Sequence, residues 1–164
     1  MLRDKALIPL SHQHHNALAL CVRIQRSLSP EHADRWAPAE PEQLQELIDT
    51  LFRNEIQYHF QAEEEVLFPA ATALPELALM AKELLAEHES LRQYAAQAAA
   101  RKLGKAELQA FAGLLSGHVR KEEGQLFEQL QKALSPAELK ALGEKLEAYF
   151  SSSGMPGPAC EVRP

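Results

Sequence analysis

His59-Phe60-Gln61-Ala62-Glu63-Glu64-Glu65-Val66-Leu67-Phe68 and His118-Val119-Arg120-Lys121-Glu122-Glu123-Gly124-Gln125-Leu126-Phe127 both read H-x-x-x-E-E-x-x-L-F. A His and a Glu four residues apart lie about 6 Å apart on one face of an α-helix, close enough to ligate one metal ion or two adjacent ones. Both pairs fall on apolar stripes. His59 shares its stripe with Leu51, Phe52 and Ile56, and His118 with Phe111, Leu114 and Leu115, so both pairs are expected to point into a core. With 20 Glu in 164 residues, a His–Glu pair at this spacing arises by accident about once among seven His. Chance does not readily give the same five identities twice.

Over the whole chain, the apolar spacing predicts four long amphipathic helices with Pro or Gly at their ends and almost no β signal. The first runs from Ser11, a plausible N-cap, through Leu18 and Val22 to Ser29-Pro30. The second runs from Pro41 to Phe68-Pro69, with a corner from Pro69 to Pro75. The third extends from Pro75 to Lys102 with Gly104 as its C-cap, and the fourth from Lys105 to Ala133. Ser135-Pro136-Ala137-Glu138 has the pattern of a capping box, so a shorter fifth helix is expected to run to Phe150. Ser151 to Pro164 is rich in Ser, Gly and Pro and is expected to be a mobile tail. Long helices on short connections pack as antiparallel neighbours. The expected fold is therefore all-α: an up-down-up-down four-helix bundle with a short fifth helix over residues 1–150, followed by a tail over 151–164.

The other two helices each add an inward His in the frame H-x-x-L, His15 before Leu18 and His88 before Leu91. The order H-x-x-L, then H-x-x-x-E-E-x-x-L-F, occurs twice, like two copies of a helical hairpin. Four imidazoles and two carboxylates converging in a core are costly to bury without a cation. Imidazole and carboxylate without thiolate suit iron, manganese or zinc and disfavour Cu(I) or an iron–sulfur cluster. Six protein ligands over four helices suit two metals bridged by Glu63 and Glu122. The candidate ligands are His15, His59, Glu63, His88, His118 and Glu122. His14 is the reserve, since its side chain points about 100° from that of His15 and the Leu18 frame favours His15. Glu55 shares a face with His59 and Glu63 and is a candidate acceptor for an imidazole N–H. Glu64, Glu65 and Glu123 are expected on outer, solvated faces.

At these residues the chain resembles the hemerythrin-like (HHE cation-binding) family, over about residues 11 to 130. The resemblance implies a non-haem di-iron centre on the six residues above, with both Glu bridging and an oxo or hydroxo group between the irons; Mn or Zn are the other candidates. The family's oxygen carriers have a second His one turn along the third helix and an Asp five residues after the His of the fourth. Here Leu84, Arg92 and Glu123 stand at those positions. One iron is thus expected to have fewer imidazoles, which shifts the reading from simple oxygen carriage towards binding or sensing O2, NO or iron status. The alternatives are a di-iron redox enzyme reducing peroxide or NO, and a metal-stapled interaction module.

The remaining features bound the partners. A net charge of −6 with no basic stripe speaks against nucleic acid and anionic membranes. No apolar run approaches the ~20 residues of a membrane span, and the N-terminus lacks a secretory layout. Cys21 and Cys160 form no framework, consistent with a reducing cytoplasm. A redox or signalling protein is the expected macromolecular partner.

Overall fold

A computed structural model describes residues 2–29 and 38–152. Its five helices are α1 (Ile8–Leu28), α2 (residues 41–72), α3 (Ala78–Ala99), α4 (residues 105–133) and α5 (Pro136–Ser152). The described residues contain no strand. The first four helices form the expected antiparallel bundle, in which α1 packs most extensively on α4 and α2 on α3. The α5 capping box forms as expected, with the Ser135 N–H donating to Glu138 Oε2 at 2.8 Å and the Glu138 N–H donating to Ser135 Oγ at 3.3 Å. Ser151 and Ser152, expected in the tail over residues 151–164, continue α5 instead; the rest of that expected tail, residues 153–164, and residues 30–37 of the α1–α2 connection lie outside the described residues.

Several boundaries differ from the sequence expectation, each for a local reason. α1 starts at Ile8 rather than Ser11, because a 3-10 turn over Lys5–Leu7, capped by Asp4, leads into it and Pro9 fits its first turn. At the other end of the bundle, Arg101 adopts φ 57° and turns the chain, while Gly104 serves as N-cap of α4 instead of C-cap of α3. The buried Gln45 pins this turn by accepting the Leu103 N–H at 2.8 Å.

The largest departure is in α2, which passes through Pro69 and ends at Thr72. Its hydrogen-bond ladder widens to a π turn over Glu63–Leu67, where the Phe68 N–H donates to the Glu63 carbonyl, five residues back. Pro69, which has no N–H to offer, falls in the first turn after this shift of register, where its loss is tolerated. A matching π turn covers Glu122–Leu126 in α4, with the Phe127 N–H donating to the Glu122 carbonyl. A third lies at Phe52–Ile56. In an unbroken α-helix Phe68 would rotate away from the face that Leu67 shares with Glu63. The wider turn instead lets Leu67 and Phe68, and likewise Leu126 and Phe127, all be buried.

The core is two apolar clusters. One gathers Ile24, Ile48, Phe60, Leu91, Leu108 and Phe111 towards the α3–α4 turn. The other gathers Leu10, Leu67, Leu84, Leu126, Phe127 and Leu146 towards the α2–α3 corner and α5. Each stabilises the bundle by removing large aliphatic and aromatic side chains from water, worth about 1.5–3 kcal/mol per side chain. Between them runs a layer of buried polar residues.

A candidate dinuclear metal centre

His14, His59, Glu63, His88, His118 and Glu122 make up that layer, all at most 4% exposed. Each bundle helix contributes one imidazole, and α2 and α4 add the carboxylates that open their π turns. The groups fall into two overlapping sets, His14, His59, Glu63 and Glu122 on one side and His88, His118, Glu63 and Glu122 on the other. Within each set the potential ligand atoms lie within 4.8 Å of one another.

The first-helix assignment needs correction. His14 points into the layer, while His15 is exposed and lines a surface groove between α1 and α2 with Leu18, Val22 and Leu47. The buried positions of α1 are Leu10, His14, Ala17, Cys21 and Ile24, a three-and-four spacing in which small residues occupy core positions. Leu18 is only half-buried and Val22 is exposed, so the larger side chains mark the wrong stripe.

The carboxylates reach both sides. Glu63 Oε1 is 3.2 Å from His59 Nε2 and its Oε2 is 3.4 Å from His88 Nε2. Glu122 Oε2 is 3.1 Å from His14 Nε2 and its Oε1 is 3.4 Å from His118 Nε2. Each carboxylate therefore presents one oxygen to each half, the arrangement of a bridge. All four oxygens are buried and without a hydrogen-bond partner.

The outward ring nitrogens are all engaged. His14 Nδ1 donates to Glu123 Oε1 at 2.7 Å, His88 Nδ1 to Glu64 Oε1 at 2.8 Å, His118 Nδ1 to Glu87 Oε2 at 2.9 Å, and His59 Nδ1 to Gln13 Oε1 at 2.7 Å. Surface cations neutralise the three outer carboxylates: Arg3 on Glu123, Arg92 on Glu64 and Lys121 on Glu87. With each proton on Nδ1, the Nε2 lone pairs face inward and meet in pairs, His14 with His59 at 3.0 Å and His88 with His118 at 3.1 Å. Nitrogens at that separation, beside buried carboxylate oxygens, mark a place for positive charge, a shared proton in the metal-free chain or a metal ion in its place. The donor set therefore fits two metal ions, one in each half.

Sequence reasoning placed Glu64 and Glu123 on solvated outer faces, but both are partly buried and orient an imidazole. They are the second Glu of each E-E pair, and each reaches the His of a neighbouring helix, so the doubling was a usable signal. Glu87 and Gln13 were also missed; each immediately precedes the inward His of α3 or α1. Glu55 holds no imidazole, since both its oxygens accept from Asn16 Nδ2 at 3.0 Å. Tyr94 packs on Phe111, with ring centroids 6.1 Å apart.

The hemerythrin HHE cation binding domain matches residues 9–130, about three-quarters of the chain. The chain belongs to this family. Neither the curated proteins nor the solved structures contain a match. The match to this hemerythrin-family domain reaches into all four bundle helices, missing only the first residue of α1 and the last three of α4, and includes every residue of the polar layer. Among the described residues no helix is long and apolar enough to cross a membrane.

The metal-free electrostatics show what a cation must displace. Burial alone would lower the His14 pKa, but the adjacent Glu122 carboxylate, the hydrogen bond to Glu123 and the field of Glu63 carry it from 6.5 to about 10. Burial raises Glu123, yet His14 and Arg3 pull it from 4.5 down to about 2. Burial opposes ionisation of Glu63 too, but His59 and His88 hold it well below the usual carboxylate range. The His14 contribution to stability is full below pH 6.5 and lost as pH rises through about 10, whereas that of Glu123 is full above pH 4.5 and lost as pH falls towards 2. A metal must evict the His14 proton, so affinity in the His14–His59 half is expected to rise about tenfold per pH unit between pH 6 and 8, where one proton leaves per metal bound. Calorimetric titration in buffers of different ionisation enthalpy checks this; a pH-independent affinity without proton release would contradict it.

Proposed function

We propose that the protein is a cytoplasmic, non-enzymatic di-iron protein that binds or senses a small ligand such as O2 or NO, or reports iron status. The reading rests on four orphaned carboxylate oxygens facing four inward imidazole nitrogens in a buried layer. His14 and His59 would hold one iron, His88 and His118 the other, with Glu63 and Glu122 shared. Two irons would supply a one-electron redox couple at each position and coordination sites open to a diatomic ligand, since six protein ligands do not saturate two metals. The chain's own part is to fix and insulate. Glu123, Glu64, Glu87 and Gln13 lock the ring orientations. Phe60 stacks on His88 with ring centroids 3.7 Å apart, and Phe127 stacks on His14 at 5.7 Å, covering the imidazoles against water.

The test is metal content of protein purified without a chelating tag, followed by spectra of the reduced protein. About two irons per chain, falling sharply in His59→Ala and Glu122→Ala, with an absorption change on exposure to O2 or NO, is the expected result. One zinc per chain, no metal after growth in iron-rich medium, or spectra indifferent to both gases would overturn it.

A further inference from the structure

The layer has an approximate two-fold relation between the α1–α2 and α3–α4 hairpins. Glu64 of α2 serves His88 of α3, and Glu123 of α4 serves His14 of α1. In the other direction, the residue before the inward His of α1 or α3 serves the motif His of the following helix: Gln13 for His59 and Glu87 for His118. The relation breaks at that position. On the α3–α4 side the acceptor is a carboxylate, backed by Lys121 at 2.5 Å. On the α1–α2 side it is a neutral amide, and the position matching Lys121 is Ala62.

The difference has a chemical consequence. An imidazole that donates Nδ1–H to a carboxylate becomes a more basic ligand through Nε2, and such outer partners typically change metal affinity by about 10–100-fold. An amide oxygen polarises the ring less, because it is a dipole rather than a charge. Lys121 on Glu87 weakens this effect without removing it, as Arg92 does on Glu64 and Arg3 on Glu123, so the cations do not separate the two halves, whereas the amide of Gln13 carries no charge to begin with. The His88–His118 half thus has two carboxylate-backed imidazoles, and the His14–His59 half has one.

On the reading that the layer holds two metals, we infer that Gln13 makes the two positions unequal. The His14–His59 half binds its ion more weakly than the His88–His118 half, and residue 13 sets the gap. Four identical ligand types would otherwise give two near-equivalent positions.

The test is anaerobic calorimetric titration of the metal-free full chain with Fe2+. Wild type is expected to load in two steps. Because the first ion also repels the second, the variants decide. Gln13→Glu is expected to tighten the weaker step about tenfold and spare the tighter one; Glu87→Gln is expected to weaken the tighter step by a similar factor. Glu87→Gln is isosteric and carries the test alone if Gln13→Glu does not fold by circular dichroism. Step constants unchanged by Glu87→Gln, or a tighter step lost with Gln13→Glu, overturn the assignment of residue 13 while leaving the dinuclear reading intact. A wild-type chain that takes up no Fe2+ overturns both.

Discussion

With one metal ion in each half, as proposed, replacing His14 by alanine is expected to remove one of the two and to weaken the other, whereas His15→Ala leaves the metal content unchanged. The two residues are neighbours in sequence, yet only His14 enters the polar layer, with Nε2 at 3.1 Å from Glu122 and 3.0 Å from His59. His15 faces solvent. Loss of His14 also leaves one oxygen of Glu122 without its imidazole and Glu123 without the ring that it orients, so the second half loses an organised bridge. Elemental analysis of both variants, normalised to accurate protein concentration, measures this directly. Equal loss in the two variants would sink the assignment of His14.

Phe60→Ala is expected to cost the metal-free protein about 3–5 kcal/mol, read as a lower urea midpoint at unchanged slope. Phe60 is 1% exposed and sits where the polar layer meets the cluster nearer the α3–α4 turn. One face stacks on His88, and its edges meet Phe52 at 6.0 Å and His118 at 5.6 Å between ring centroids. Truncation leaves a cavity bounded by two imidazoles, which admits water to the side of the layer that the ring keeps dry. Phe60→Leu keeps most of the volume and is expected to recover most of the loss. A Phe60→Ala midpoint within error of wild type would show that the layer does not depend on this ring.

The four-helix architecture was legible because the apolar spacing in α2 to α4 is carried by large residues such as Ile48, Leu84, Phe111 and Leu115. The frame of α1 was not, because Ala17 and Cys21 hold its core positions while Leu18 and Val22 face a groove, and side-chain size is what a pattern reader weighs. Of the six expected site residues, the structure gathers His59, Glu63, His88, His118 and Glu122, and seats His14 in place of His15. The partners of the imidazoles are tertiary contacts: Glu64 with His88 across α2 and α3, Glu123 with His14 across α4 and α1. No single-helix periodicity reports which neighbour a surface-looking Glu will reach. The π turns were invisible for a related reason, since a template of 3.6 residues per turn cannot show a ladder that changes step.

Those π turns give α2 and α4 a phase change at the carboxylates. Before Glu63 and Glu122 each helix is indexed to one apolar cluster, and after them to the other, with an extra residue taking up the mismatch. The chain length through this stretch is consequently rigid in a way that the surface loops are not. Removing one residue between Glu63 and Phe68, or between Glu122 and Phe127, would straighten the ladder, swing every later side chain by about 100° and take Phe68 or Phe127 out of the interior. Substitutions are locally negotiable there; a one-residue deletion is a frameshift in three dimensions.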